Sequence, residues 1–157
     1  MQEFFGRFHP VLVHLPIGIL LVGCLLLLLA LKPRFVNLKP AISLLLLLGA
    51  ASAVASAISG YLLAGSGDYA PALVSQHQWF GITTAVVSLL LYFVNRRAKT
   101  GKTPAAIAGI LIVLITITGH LGGSLTHGAD YLTAPLNEAQ KNTVAIPPIP
   151  NIQEAQL

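Results

Sequence analysis

Four apolar runs, at about residues 11–31, 41–64, 78–95 and 104–123, constrain this chain more than anything else in it. A helix crosses the hydrocarbon core of a bilayer with roughly 20 apolar residues, and each run is about that long. Helix is the natural form for such a run, because backbone amides in lipid must find partners within their own segment. Only 9% of the residues are charged and 55% are apolar, with a mean hydropathy of +0.78. So few charges cannot clothe a soluble domain of this size. The first run is expected to stay in the mature chain. Glu3 lies in its leader, it is a full span long, and no small-residue cleavage site follows it.

The charges predict an orientation. Lys32, Arg34 and Lys39 separate the first two runs, and Arg96, Arg97, Lys99 and Lys102 separate the last two. Both loops are short, so the positive-inside rule places them in the cytoplasm. The acids Glu3, Asp68, Asp130, Glu138 and Glu154 then lie outside, with both termini. The sequence pI near 9.5 is accordingly a topology signal and an attraction for anionic lipid heads, not a sign of nucleic-acid binding. The expected fold is an all-α membrane protein, an up-down four-helix transmembrane bundle over residues 1–133 with both termini outside. Residues 134–157, with Pro135, Pro147, Pro148 and Pro150, read as an extended external tail or linker.

Finer features fit this outline. Phe4, Phe5 and Phe8 with Arg7 form an amphipathic approach to the first span. Pro10 and Pro16 stand at its start, where a missing N–H costs little. In the second span Gly49, Ala53, Ser56 and Gly60 recur at helical spacing. Small residues allow close helix packing in lipid, and they also leave room for a flat macrocycle. The lone Cys24 excludes an internal disulfide, and there is no CxxCH sequence for covalent haem attachment.

All five histidines (His9, His14, His77, His120 and His127) fall at the end of the spans away from the basic loops. Ionisable groups inside spans are costly and usually functional. His14 and His120 are expected one to two turns below the same surface, on facing helices, and are the first candidates for an axial pair on a haem iron. Trp79 and Phe80 mark the membrane surface and place His77 at the headgroup boundary. His120 and His127 are seven apart and share a helix face, with Gly123 between them clearing space for a planar ligand. His9 precedes Pro10 and reads as a cap that can point elsewhere. Arg7 suits a haem propionate. Zinc or copper would want three or four ligands at one depth, which leaves an all-histidine copper site as an alternative.

The opening Phe8-His9-Pro-Val-Leu-Val-His14-Leu-Pro-Ile-Gly18 resembles the start of the membrane family called domain of unknown function 2231. His77-Gln-Trp-Phe-Gly81 and Gly119-His120-Leu-Gly-Gly-Ser-Leu-Thr-His127-Gly128 are similar to its later motifs, and the resemblance covers about residues 5–133. It implies a four-span protein of the bacterial inner membrane with its termini in the periplasm. Some members precede a periplasmic c-type cytochrome domain, which implies b-type haem and electron transfer. His9, His14, His77, His120 and His127 carry over as the ligand candidates. The sequence ends in a proline-rich tail without a cytochrome domain, so it is expected to be either a truncated segment or a protein whose cytochrome partner is a separate polypeptide.

The function these readings favour is a membrane b-type cytochrome subunit, an electron-transfer subunit rather than a complete enzyme. It would hold one haem b at His14 and His120, with a second accommodated by two of His9, His77 and His127. Electrons would pass between a membrane donor, a quinol or neighbouring subunit of a larger complex, and an external c-type cytochrome. Asp68 and Asp130 are candidate proton acceptors from a quinol, although solvated loop carboxylates are the commoner case. The main alternative is a non-catalytic membrane anchor or assembly subunit with structural histidines. A transporter would want polar groups along a whole path, and the spans offer only the thin serine track Ser43, Ser52, Ser56 and Ser59.

Overall fold

The computed structural model describes residues 2–65, 69–98 and 101–136. Asp68, Lys99 and the tail from residue 137 onward, with Glu138, Lys141 and Glu154, lie outside the described residues, as does the side chain of Glu3. The elements are α1 (Gln2–Gly6), α2 (His9–Leu12), α3 (His14–Leu29), a 3-10 helix (Pro33–Leu38), α4 (Lys39–Leu63), α5 (Pro71–Arg97) and α6 (Lys102–His127). Among the described residues there is no strand.

Four stretches are long and apolar enough to span a membrane: Phe4–Leu29, Pro33–Leu63, Pro71–Arg97 and Lys102–His127. The shortest has 26 residues, about 39 Å of helix at 1.5 Å per residue, which exceeds a hydrocarbon core of roughly 30 Å. The first stretch is broken into three pieces, and its prolines explain the breaks. A proline cannot donate to the carbonyl four residues back and its ring clashes with it. Counting back from Pro10 gives Gly6, where α1 ends, and from Pro16 gives Leu12, where α2 ends. The other helices begin with proline near their first turn, at Pro40, Pro71 and Pro104, where the lost N–H is harmless.

The spans run up and down, with α3 on α4, α4 on α5 and α5 on α6, and α3 on α6 closing the ring. Between α3 and α4 the packing is reciprocal. Leu20 fills the notch at Gly49, where a Cβ would come within 2.5 Å of its Cδ2, and Leu46 lies against Gly23, where a Cβ would meet its Cδ2 at 3.4 Å. Both leucines are fully buried, with Cys24, Leu91, Ala108 and Leu111 in the same core. Large apolar side chains also face outward: Leu15, Val22, Leu25 and Leu29 on α3, Val86, Leu90 and Phe93 on α5, and Ile110 and Val113 on α6. Such stripes would condemn a soluble bundle and suit one whose solvent is lipid. The protein is an all-α, four-helix membrane bundle with its basic loops at one end and its histidines toward the other.

Candidate functional site

At the histidine end two rings meet inside the bundle. The break before Pro10 turns His9 inward, so that it is half-buried against α4 rather than capping α2 from outside. Its Nδ1 lies 2.9 Å from the Ser56 carbonyl oxygen and 3.2 Å from Ser59 Oγ. A carbonyl only accepts, so the proton sits on Nδ1 and is donated to Ser56. Ser59 Oγ donates to the same carbonyl at 2.9 Å, which a carbonyl with two lone pairs permits. The ring rests on Gly60, where a Cβ would approach its Cε1 to 2.8 Å.

His77, on α5, repeats the arrangement against α6. Its Nδ1 donates to the Thr118 carbonyl oxygen at 3.1 Å. A Cβ at Gly122 would come within 3.1 Å of its Cε1. Deeper in the bundle, the hydroxyls of Thr84 and Thr118 stand 3.1 Å apart, each donating to the carbonyl four residues back in its own helix. The His9 and His77 ring centres are 6.1 Å apart with their planes at 77°. One layer therefore ties all four spans: α2 to α4 through His9, α5 to α6 through His77, and the two pairs through the rings. With Nδ1 of each ring committed as a donor, each Nε2 keeps a lone pair, the state in which imidazole binds metals.

The remaining candidates stand apart from this pair. His14 is exposed, with Nδ1 donating to the Pro10 carbonyl oxygen at 2.7 Å. It lies five residues past His9, about 7 Å deeper at helical rise. His120 is exposed on the outward face of α6 that also carries Val113 and Thr116. It lies two residues from Gly122, within about 3 Å of the His9–His77 layer. His14 and His120 are thus both exposed, at depths that differ by less than one helical turn.

His127 is exposed, with Nδ1 2.7 Å from Thr126 Oγ1 and its ring 5.5 Å from that of Tyr131. Tyr131 also covers Gly123, where a Cβ would meet its Oη at 2.6 Å. The open face foreseen at Gly123 is filled by this tyrosine, which a turn at Gly128 (φ 95°) folds back onto the helix. Arg7 is exposed in the break between α1 and α2, two residues before His9. Among the described residues no three of His, Cys, Asp and Glu come together as a metal-holding group. The sequence reading missed Ser56, Gly60, Thr118 and Gly122 as the seats of the two rings. The available signal was that Gly60 and Gly122 fall level with His9 and His77 once antiparallel spans are aligned.

Comparison with curated proteins returns no match, and neither does comparison with solved structures. A protein family described as "Predicted membrane protein (DUF2231)" matches residues 7–133, a stretch that runs from Arg7 through all four spans to Thr133. With most of its length matched and four apolar helices in place, the chain belongs to the DUF2231 family of predicted membrane proteins.

Proposed function

We propose that this protein is a membrane b-type cytochrome subunit in which His9 and His77 hold one haem. The observation that carries the reading is the paired imidazoles, from facing helices, each with Nδ1 on a backbone carbonyl and Nε2 left as a ligand. His9 and His77, with ring centres 6.1 Å apart, are the residues that would hold the group. A pair also suits a porphyrin better than a bare ion, because the macrocycle supplies four in-plane nitrogens and asks the protein for two ligands. Such a haem supplies one-electron redox chemistry at the end of the bundle away from the basic loops.

The chain's own contribution is to fix tautomer and orientation. Ser56 and Thr118 hold the Nδ1 protons, and the close backbones at Gly60 and Gly122 keep each ring from turning. Arg7, two residues from His9, is the candidate for a propionate. A second haem would have to use His14, His120 or His127. Their outward faces imply that a neighbouring subunit of a larger complex would complete it. Under this reading the membrane is the bacterial inner membrane, with the termini in the periplasm by the positive-inside rule. Electrons pass from a quinol or adjacent subunit to a c-type cytochrome outside. A reduced-minus-oxidised optical spectrum of the purified protein, with pyridine hemochrome quantitation, tests it. A b-type difference spectrum with about one haem per chain is expected for two ligands and one layer.

A second reading has a specific observation behind it. The same two Nδ1 hydrogen bonds and the ring contact join all four spans, as polar side chains commonly do in membranes. In that case the protein is an anchor or assembly subunit and purifies without haem. Its thermal stability, and no spectrum, would then depend on His9 and His77.

A further inference from the structure

The opposite end of the bundle holds a cavity that the histidine layer does not explain. It has a volume of about 150 Å³, well above the roughly 10–15 Å³ needed for one water. Leu27 and Ile42 form its buried floor, Asn95 is on its wall, and exposed Val36, Lys39 and Gly101 are at its rim. It sits where the 3-10 helix folds under the spans, so α3, α4, α5 and α6 all contribute to it.

The surroundings are cationic. The described residues around it carry Lys32, Arg34 and Lys39 on one side and Arg96, Arg97 and Lys102 on the other, with no Asp or Glu in either connection of the sequence. Two of the guanidinium groups are already engaged. Arg34 stacks over the Phe35 ring at 4.5 Å, and Arg96 donates to the Tyr92 hydroxyl at 2.9 Å. Lys39 is at the cavity mouth. Asn95 Nδ2 donates to Ser43 Oγ at 3.3 Å, and an amide nitrogen has two N–H groups, so one remains for a guest.

We propose that this cavity binds a phosphate group, that of an anionic phospholipid head. The acyl chains would lie along the exposed apolar faces of α3 and α6. Lys39 supplies the charge and Asn95 a neutral donor deeper in. The cavity is large enough for a partly hydrated phosphate, Lys39 and Asn95 are the polar residues in an otherwise apolar lining, and anionic lipid heads surround the basic end of a membrane bundle.

The test uses the full chain purified in neutral detergent and titrated separately with phosphatidylglycerol, phosphatidylcholine and inorganic phosphate, reading the thermal unfolding midpoint. Phosphatidylglycerol is expected to raise the midpoint, and phosphatidylcholine to leave it unchanged. Lys39→Gln should weaken the phosphatidylglycerol response about fivefold, as loss of one basic contact at a membrane surface does. Lys32→Gln removes an equal charge outside the cavity lining and should weaken the response less than Lys39→Gln does. Asn95→Asp sets a carboxylate in the cavity and should abolish the response, which keeps the test open should Lys39→Gln fold poorly. A response to inorganic phosphate alone that Lys39→Gln weakens supports the site with the free ion as its occupant. No response to either phosphate source, or equal losses in Lys32→Gln and Lys39→Gln, overturns it.

Discussion

His9 occupies the space that a side chain at Gly60 would need: a Cβ there would stand 2.8 Å from the ring's Cε1 and 3.0 Å from its Nδ1. The ring cannot retreat without losing its bond to the Ser56 carbonyl. Gly60→Ala is therefore expected to destabilise the bundle by about 1–3 kcal/mol, the usual cost of overpacking. Gly18, where a Cβ meets nothing within 4 Å, is the control. Gly18→Ala should be neutral or gain up to about 1 kcal/mol from helix propensity. Thermal unfolding of both variants in the same detergent makes the comparison.

Side-chain size should matter inside the bundle and hardly at all on its lipid face. Leu46 is fully buried and Leu25 is 55% exposed. Leu46→Ala should cost about 2–5 kcal/mol. Leu25→Ala should stay within about 0.5 kcal/mol, as substitutions away from packed features do. Equal losses would mean that the two faces of α3 and α4 are wrongly assigned.

The hydroxyl of Ser59 supports the His9 seat without being its main anchor. It lies 3.2 Å from His9 Nδ1, while the Ser56 carbonyl is closer at 2.9 Å. Ser59→Ala is expected to cost only about 0.6 kcal/mol, the mean for polar side-chain contacts in membrane bundles. Haem content, if haem is the ligand, should not change. A loss of several kcal/mol would show that Ser59 rather than the backbone fixes the ring.

Membrane orientation is open to labelling. In a Cys24→Ser background, Lys32→Cys and Lys102→Cys should react with an impermeant maleimide only from the cytoplasmic side, and Asp130→Cys only from the other, following the positive-inside rule. Cys24 itself is fully buried and should resist labelling until the bundle unfolds.

The four spans were legible because lipid imposes a length and an apolarity that no other constraint mimics. The gathering of basic loops at one end followed from the same reading. Small residues at Gly49 and Gly60 announced close contact but not with what: the first receives Leu20 and the second a histidine ring. His9 was the least legible residue. Its direction depends on two breaks, at Gly6 and Leu12, set by prolines four residues further on. Read as a cap ahead of Pro10, it could not be assigned its seat on α4 from the sequence. Gly123 misled for a different reason, since Tyr131 reaches it only after the chain reverses at Gly128. Helical periodicity carries no information about a turn that folds back on its own helix.

The most direct test of the histidine layer is haem quantitation on four single variants of the purified protein. His9→Ala and His77→Ala should each remove the b-type difference spectrum if, as proposed, each supplies one of two ligands. His14→Ala and His120→Ala should retain it. A wild-type protein without haem, or full haem content in His9→Ala and His77→Ala, would contradict the account.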